Sequence, residues 1–307
     1  GDFLVAEADE SDGTFLLLAP TIAVVTSIDP EHLDFYGEFS KAMDAYREFL
    51  SKVPFYGLAI LCKDEPRVAS LPGGLSKRFI TYGSSEQADI RAEDMEFRRL
   101  EAKFSVFRGK ESIGRVALKA PGRHNVLNSL AAIAVGLELG VPFSAINEAL
   151  KGFSGVERRF EIKGEIKGIM VVDDYGHHPE EIKATLRAAR DGWTGDRLRI
   201  VVVFQPHRYT RTRDLFNEFL HAFDLADIVF LTDIYPAGED PIPQISAEGL
   251  AGGMKDSGHK GVMYFGDREA LAEELRRAAR PGDMVITLGA GDVWKIGESF
   301  LAALRAG

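Results

Sequence analysis

Residues 169–181, with the sequence IMVVDDYGHHPEE, run from a strand through a polar turn into a helix. Ile169–Asp173 is largely apolar without alternation, which is typical of a strand covered on both faces. Gly176 permits a tight turn, and Pro179 stands where a proline suits the first turn of a helix. Because strand–turn–helix units build sheets of parallel strands, this stretch predicts an α/β fold.

Similar units recur on both sides of this stretch. Three further apolar runs follow in the second half of the chain, at Arg199–Phe204, Asp227–Leu231 and Met284–Leu288. In the first half, the pattern predicts strands at Phe3–Ala8, Thr21–Ile28 and Gly57–Cys62, and helices at Phe39–Val53 and Asn125–Gly140. Alternation between about residues 83 and 118 is more typical of antiparallel strands. We therefore predict two α/β domains: residues 1–157 with a mixed sheet, and residues 158–307 with a Rossmann-like sheet.

Composition limits the class of partner. The net charge of -10 argues against nucleic acid, because phosphate backbones are bound by clustered Lys and Arg, and here basic residues concentrate only around His207–Arg213. No apolar run approaches the roughly 18 residues that a membrane span needs, so we expect no membrane partner. The single cysteine, Cys62, excludes an internal disulfide framework and fits a reducing cytosol. A small anionic ligand is the better expectation.

Polar clusters follow the predicted strands at their carboxyl ends. They comprise residues 7–12 (EADESD), 29–34 (DPEHLD), 173–178 (DDYGHH), 205–208 (QPHR) and 289–292 (GAGD). Open α/β sheets bind ligands at this edge, because loops and helix N-termini converge there. One such cluster would be an ordinary surface loop, but five predict a binding site.

The first cluster offers four carboxylates in six residues, between Glu7 and Asp12. Closely spaced hard oxygen ligands suit Mg²⁺, although from this loop alone a solvated acidic turn is the favoured interpretation. His32 adds a candidate metal ligand or phosphate donor, but a lone loop histidine more often serves neither purpose. Asn125 and Asn128 lie three apart at a helix start, so both can read an adenine edge from one face. The local alternative, that Asn125 is only an N-cap, is favoured there.

Two basic clusters are candidates for anion binding. His177 and His178 adjoin a predicted helix N-terminus, where histidines are poor core residues and good partners for a carboxylate. One of the two preceding aspartates, Asp173 or Asp174, can serve only to support the turn. The loop at 205–213 holds His207 with Arg208, Arg211 and Arg213, and arginine's planar fork matches carboxylate and phosphate. Because arginines at a helix N-terminus oppose its dipole, we expect a negative group nearby. For Arg158 and Arg159 there are two interpretations: they bind a phosphate, or they lie in a solvated linker between the domains.

Taken together, these motifs resemble the Mur ligase family over the whole chain. The resemblance is carried by residues 7–12, 122–125 (GRHN), 173–179 (DDYGHHP), 204–212 (FQPHRYTRT), 235–239 (YPAGE) and 289–291 (GAG). Within the family, these segments are most similar to the branch that adds alanine. Several long motifs in a matching order make a chance resemblance unlikely.

The resemblance implies an activity. ATP would phosphorylate the muramate carboxylate of UDP-N-acetylmuramate, and the amine of L-alanine would attack the acyl phosphate, in peptidoglycan precursor synthesis. ATP and Mg²⁺ are the implied cofactors, all substrates are small molecules, and the implied location is the cytoplasm. Residues 1–157 would then be a central ATPase-type domain, and residues 158–307 a domain that binds the amino acid.

The same resemblance assigns roles to individual residues. Glu7 and His32 would hold magnesium. Nucleotide contacts would come from Asn125, Asn128, Arg159 and Asp174. His177, His178, Arg208 and Arg211 would lie near the substrate carboxylates, and His32, His177, His178 and Arg208 would form the catalytic set. The resemblance does not say which role each of His177, His178, Arg208 and Arg211 has.

The sequence also departs from the family pattern. Members hold ATP phosphates with a Gly-rich loop ending in Gly-Lys-Thr or Gly-Lys-Ser, but Gly109-Lys110 is followed by Glu111 and lacks the first glycine. The family's N-terminal UDP-binding domain is also missing, and residues 1–7 already have the pattern of a buried strand. We expect this chain to begin inside a domain and to have no ligase activity alone.

Three alternatives remain. One is a ligase of the same family that adds a whole tripeptide to the same muramate nucleotide. Another is a non-catalytic nucleotide-binding module. A dinucleotide-dependent oxidoreductase is disfavoured, because Gly289-Ala290-Gly291 is not continued with the glycine spacing that its fingerprint needs.

Overall fold

The computed structural model describes residues 2–193 and 198–306. The chain divides into two compact units. Unit 1 contains the residues up to Glu96, together with Ala102–Leu118 and His124–Phe153. Unit 2 contains Phe97–Glu101, Lys119–Arg123 and the residues from Ser154 onward.

Unit 1 is built around a six-stranded mixed sheet. Its elements are a 3-10 helix (Thr14–Leu17), β1 (Ile22–Val25), α1 (Leu33–Tyr36), α2 (Phe39–Ser51), β2 (Leu58–Cys62), α3 (Pro66–Ser70), β3 (Phe79–Gly83), β4 (Ile90–Arg98), β5 (Glu101–Arg108), β6 (Glu111–Leu118), α4 (Arg123–Glu138) and α5 (Phe143–Gly152). The strands lie in the order β1-β2-β3-β4-β5-β6, parallel from β1 to β4 and antiparallel between β5 and β6. The alternation near residues 83–118 therefore predicted the antiparallel part correctly. Gly109 lies in the turn between β5 and β6, with a φ of 59°.

The predicted strand at Phe3–Ala8 is wrong. Residues 2–10 have no regular secondary structure, and Phe3, Leu4 and Val5 are 69%, 91% and 93% exposed. An apolar run becomes a strand only when a neighbouring strand satisfies its backbone N–H and C=O groups. Among the residues that the structure describes, β1 pairs with β2 and with no strand from this segment. The sequence carries the β pattern here, but the partner that would complete it is not in the described sheet.

Unit 2 is also an α/β unit, built around its own six-stranded sheet. Its elements are β7 (Glu161–Ile166), β8 (Ile169–Asp174), α6 (Pro179–Gly192), β9 (Arg199–Phe204), α7 (Tyr209–Asp214), α8 (Phe216–Phe219), β10 (Ile228–Leu231), α9 (Ala247–Asp256), β11 (Val262–Tyr264), α10 (Arg268–Ala278), β12 (Asp283–Leu288) and α11 (Trp294–Ala306). The sheet order is β11-β10-β9-β12-β8-β7, and only the edge strand β7 is antiparallel to its neighbour.

The central strands of unit 2 are buried on both faces, as their lack of alternation predicted. Val202 and Phe204 of β9 belong to one apolar core, while Val201 and Val203 of the same strand belong to another. Successive side chains of a strand point to opposite faces, so each strand contributes to two cores. The predicted α/β class is confirmed, and the four apolar runs of the second half correspond to β8, β9, β10 and β12.

Strand register brings the carboxyl ends of the unit 2 strands level with each other. Leu288, the last residue of β12, pairs with Asp174 of β8 on one side and with Phe204 of β9 on the other. Phe204 in turn pairs with Leu231, the last residue of β10. Four loops therefore leave the sheet side by side at one edge. None of the helices in the described part of the chain is long and apolar enough to cross a membrane.

Candidate functional site

The two aspartates at the end of β8 have different partners. Asp173 is buried and accepts hydrogen bonds from Arg158 Nε at 2.9 Å and from Thr287 Oγ1 at 2.7 Å. Asp174 is also buried and accepts from the backbone N–H groups of Gly176 at 2.7 Å and Phe160 at 2.8 Å. Burial raises the pKa of Asp174 to about 6, although these backbone bonds and Arg159 act to lower it. Asp174 is thus the aspartate that supports the turn.

The two arginines before β7 also differ. Arg158 bonds Asp173 and donates from Nη2 to the carbonyl of Gly289 at 2.7 Å, so it links the ends of β8 and β12. Arg159 is more exposed and donates from Nη1 to Glu181 Oε1 at 2.9 Å. Both guanidinium groups lie beside the ring of Tyr175, at 5.0 and 5.5 Å from its centroid. Arg158 is therefore part of the sheet edge, whereas the side chain of Arg159 is accessible beside it.

His178 caps the helix that follows. Its Nδ1 accepts from the N–H of Glu180 at 3.3 Å, while Glu181 Oε2 accepts from the N–H groups of His177 and His178 at 3.0 and 3.2 Å. Burial acts to raise the pKa of Glu181, but the charge of His177 and bonds from His177 and Arg159 outweigh it and lower the pKa to about 2. This capping box fixes the histidine pair at the start of α6.

The loops after β8, β9 and β10 meet through aromatic rings. The ring of His177 lies 5.5 Å from that of His207, and His207 stacks on Tyr235 at 5.6 Å with an interplanar angle of 8°. His177 Nδ1 donates to the carbonyl of Tyr175 at 3.0 Å, since a carbonyl can only accept. Side chains from three strand ends thus form one continuous surface.

His207 is neutral near pH 7. Arg211 Nη1 lies 3.2 Å from His207 Nδ1, and because a guanidinium only donates, this ring nitrogen is the acceptor. Burial, followed by the positive charges of His177 and Arg211, lowers the pKa of His207 to about 4. The ring proton is then on Nε2.

Arg208 occupies a strained backbone position. Its φ and ψ are 70° and 140°, a conformation that glycine adopts far more easily, and which costs on the order of 1–3 kcal/mol. Its N–H donates to the carbonyl of Tyr235 at 2.8 Å, and its own carbonyl accepts from Thr212 Oγ1 at 2.8 Å. Its Nε is buried without a hydrogen-bond partner among the described residues. A buried guanidinium nitrogen without a partner is a donor that suits an anion chemically.

A negative group compensates this basic cluster, as the sequence predicted, and it is Glu239. Its Oε2 accepts from the N–H of Thr210 at 3.0 Å and its Oε1 accepts from Thr210 Oγ1 at 2.5 Å. Glu239 belongs to the motif at residues 235–239, but the resemblance implies no role for it. Nothing in local spacing connects residue 239 with residue 210, because the two meet only through strand order.

Neighbouring side chains leave no space for a larger residue in the glycine turn after β12. A Cβ on Gly291 would lie 2.3 Å from Gln205 Oε1 and 2.8 Å from the ring of Tyr235, so only glycine fits. The buried Gln205 side chain accepts from the N–H of Asp292 at 3.1 Å and donates to its Oδ1 at 3.3 Å. This turn is consequently held against the loop that follows β9.

Unit 1 carries a smaller acidic cluster. Glu10, Glu31 and His32 place one ligand atom each within 4.8 Å of one another. Tyr36 Oη donates to the carbonyl of Glu10 at 2.6 Å, which brings the acidic loop to α1. Glu7 is exposed and is not one of the three clustered residues.

The asparagine pair lies on α4. This helix begins at Arg123, so Asn125 is inside its first turn and is not the N-cap that local reasoning favoured. Its Nδ2 lies 3.1 Å from His124 Nε2. Asn128 is one turn further on and is exposed.

Family models match both parts of the chain. A model described as the Mur ligase middle domain matches residues 2–136, and one described as the Mur ligase glutamate ligase domain matches residues 158–291. The chain belongs to the Mur ligase family.

Relatives within the Mur ligase family cover nearly all of the chain. Proteins named UDP-N-acetylmuramate–L-alanine ligase from Geobacter sp. (strain M21) and Sorangium cellulosum are each 55% identical over 306 residues. These alignments cover 100% of this chain, but only 66% and 65% of those proteins. This Mur ligase chain therefore spans about two thirds of the length of the relatives it matches.

Solved Mur ligase structures have the same fold. A UDP-N-acetylmuramate-alanine ligase from Thermotoga maritima is 27% identical, with a TM-score of 0.78 over 97% of this chain and 63% of that one. A MurF ligase from the same organism, in complex with ADP, has a TM-score of 0.72 at 20% identity over 94% of this chain and 63% of that one. At 20% identity, the likeness to the MurF ligase is evidence for the fold alone.

The residues assigned by resemblance, except Glu7, fall into three groups in the structure. At the carboxyl edge of the unit 2 sheet lie Arg159, Asp174, His177, His178, Arg208 and Arg211. In unit 1, His32 lies with Glu10 and Glu31, while Asn125 and Asn128 lie on α4. Sequence reasoning missed the contributions of Glu181, Gln205, Tyr235 and Glu239. Of these, only Glu181 had a local signal, the three-residue spacing from the cap His178.

Proposed function

We propose that this chain carries the catalytic and amino-acid-binding parts of an ATP-dependent ligase that joins L-alanine to the muramate carboxylate of UDP-N-acetylmuramate. The reaction would serve peptidoglycan precursor synthesis in the cytoplasm. The observation that carries the proposal is the basic surface formed by His177, His207, Arg208 and Arg211 at the unit 2 sheet edge. Relatives at 50–55% identity that bear the alanine ligase name support the choice of substrates.

The proposed reaction has two bond-forming steps. A muramate carboxylate oxygen attacks the γ-phosphorus of ATP, and ADP leaves. The alanine amine then attacks the acyl carbon, the C–O bond to phosphate breaks, and the amine loses a proton. Because every reactant carries a carboxylate or phosphate group, positioning and charge neutralisation provide most of the catalysis.

The basic surface has the chemistry to bind carboxylates. The Nε of Arg208 is buried and has no hydrogen-bond partner among the described residues, so a carboxylate oxygen would satisfy it. Neutral His207 accepts from Arg211 through Nδ1 and keeps its Nε2 proton available as a donor. We assign Arg208 and Arg211 to the binding of substrate carboxylates. His177 and His178 would lie beside the reacting groups, on the catalytic surface.

For the nucleotide we propose Asn125 and Asn128, with Arg159 and Asp174. The asparagines are one helical turn apart on α4 and can present donors and acceptors to a base. The ADP complex of a MurF ligase with this fold supports nucleotide use by the family. Asp174 already accepts two backbone N–H groups but, as a carboxylate, retains capacity for another donor.

For Mg²⁺ we propose His32 with Glu7, and we add Glu10 and Glu31 as the nearest carboxylates. Two carboxylates and an imidazole whose ligand atoms lie within 4.8 Å of one another suit a cation, because a cation would offset the repulsion between the two carboxylates. A bound magnesium ion would offset phosphate charge during transfer. Glu10 is held in place through its backbone by Tyr36.

The proposal is tested by measuring phosphate release from ATP and UDP-N-acetylmuramate with the complete polypeptide that contains these 307 residues. L-Alanine should support turnover, and a free tripeptide offered as the amine acceptor should not. Preference for the tripeptide would identify the recycling ligase instead. The 307-residue chain alone should not turn over, since residues 1–307 contain no Gly-rich phosphate loop of the family type.

Nucleotide binding is tested separately on the 307-residue chain. Isothermal titration with ATP–Mg²⁺ should give a weaker affinity for Asn128→Ala than for the unchanged chain. Asn217→Ala, which removes an exposed asparagine from α8, is the matched control. Equal affinities for both variants would reject the nucleotide assignment. Binding without turnover in the complete polypeptide would favour a non-catalytic module.

A further inference from the structure

The loop at residues 235–239 is bonded along its length to the loop that follows β9. Tyr235 N–H donates to the carbonyl of Pro206, and Arg208 N–H donates back to the carbonyl of Tyr235, both at 2.8 Å. The rings of His207 and Tyr235 stack above this pair of backbone bonds. The two loops are therefore joined at the place where Arg208 leaves the sheet edge.

A tight turn then returns the chain toward α7. Ala237 and Gly238 have φ values of 50° and 89°, and the N–H of Glu239 donates to the carbonyl of Pro236 at 3.0 Å. This conformation places the Glu239 carboxylate on the first residues of α7. There its two oxygens accept from the N–H and the hydroxyl of Thr210.

The strain at Arg208 needs such a restraint. Its left-handed backbone is fixed on the N-terminal side by the bond to Tyr235 and on the C-terminal side by the helix whose first turn Glu239 holds. Negative charge at this position also attracts Arg208 and lowers the repulsion within the basic cluster. The pKa of Glu239 lies below its usual range; burial opposes this, but the Thr210 bonds and the charge of Arg208 outweigh it.

We infer that Glu239 is a positioning residue, which holds the backbone of residues 208–210 so that the Arg208 guanidinium is presented to a substrate carboxylate. This inference rests on the proposed ligase function. Glu239 does not itself bind substrate, since both of its carboxylate oxygens face Thr210. Its loss should weaken the binding of a carboxylate substrate while leaving nucleotide binding unchanged.

The test is steady-state kinetics of the complete polypeptide with Glu239→Gln, which keeps the shape of the side chain and removes its charge. The KM for UDP-N-acetylmuramate or for L-alanine, whichever carboxylate binds Arg208, should rise about tenfold, while the KM for ATP stays within about twofold. Thr210→Val, which removes the hydroxyl donor but keeps the N–H, should shift the same KM by a smaller factor. Glu218→Gln, an exposed carboxylate on α8, is the control and should match the unchanged enzyme.

Three outcomes would overturn the inference. Glu239→Gln kinetics equal to those of Glu218→Gln would remove any positioning role. An equal change in all three KM values, with an earlier unfolding midpoint, would mean that Glu239 only stabilises the fold. Absence of ligation by the unchanged complete polypeptide would instead reject the proposed function on which the inference rests.

Discussion

The sheet edge of unit 2 is formed by loops at strand ends, whereas the acidic cluster of unit 1 joins an irregular segment that contains Glu10 to the loop after β1, and the two are held differently. At the unit 2 edge, Arg158, Gln205 and Glu239 each bond a loop other than their own. In unit 1, the acidic loop is fastened to α1 by the Tyr36 bond to a backbone carbonyl, and the clustered carboxylates bring like charges together.

The difference indicates how each site meets its ligand. Loops whose polar groups bond one another are held in place without a ligand, so the anion site that we propose at the unit 2 edge would need little rearrangement on binding. A bound cation would offset the repulsion between the clustered carboxylates of Glu10 and Glu31, so the geometry of the proposed unit 1 site depends on it. The following experiments are ordered from the largest expected effect to the smallest.

Removing the guanidinium of Arg208 should have the largest effect on activity. In the complete polypeptide, Arg208→Ala should lower kcat/KM for ligation roughly 10²–10³-fold, because a preorganised donor to a carboxylate is lost. Phosphate release measures this effect. Arg213→Ala is the control, since Arg213 is exposed and bonds its neighbour Asp214. Equal losses in both variants would mean that the edge is not prearranged around Arg208.

Arg158→Ala should destabilise unit 2 by roughly 3 kcal/mol, because the carboxylate of buried Asp173 would lose its charged partner. Arg159→Ala should cost less than about 1 kcal/mol, since its pair with Glu181 is more exposed. Urea unfolding followed by tryptophan fluorescence reports on unit 2 alone, because Trp193 and Trp294 are the only tryptophans in the sequence. Similar costs for the two variants would contradict the cross-linking role of Arg158.

In unit 1, Glu10→Gln should weaken Mn²⁺ binding to the 307-residue chain roughly tenfold, as measured by electron paramagnetic resonance titration. Glu7→Gln should have a smaller effect, because Glu7 is exposed and lies outside the clustered group. A larger effect of Glu7→Gln would show that cation binding rearranges the acidic loop. That result would sharpen the contrast with the fixed loops of unit 2.

The smallest expected effect is on the pH dependence of stability. The folded pKa of Asp174, raised from 3.8 to about 6, makes unit 2 less stable as pH rises through that window. The folded pKa of His207, lowered from 6.5 to about 4, makes it more stable over nearly the same window. The two contributions therefore oppose each other in the unchanged protein.

Single substitutions should separate them. Between pH 4 and 6, His207→Gln should make stability fall relative to the unchanged chain as pH rises, and Asp174→Asn should make it rise. Urea unfolding at several pH values, again followed by tryptophan fluorescence, measures both slopes. Parallel curves for the two variants would mean that these groups do not titrate in the folded state as their burial requires.

Local sequence patterns predicted much of this protein. Apolar runs without alternation identified the buried strands of unit 2, and the polar residues after them lie together at the sheet edge where we propose the site. The same patterns carried the family resemblance. These features depend on residue type and spacing along the chain, which the sequence contains completely.

Other features depend on which segments become neighbours. Phe3–Ala8 has the composition of a strand but has no partner in the described sheet. The negative charge that the arginine loop requires comes from Glu239, some thirty residues away along the chain, because β9 and β10 lie side by side. Sequence fixes what each loop can bond, while strand order and register decide which loops come within reach, since hydrogen bonds and ion pairs act only over a few ångströms.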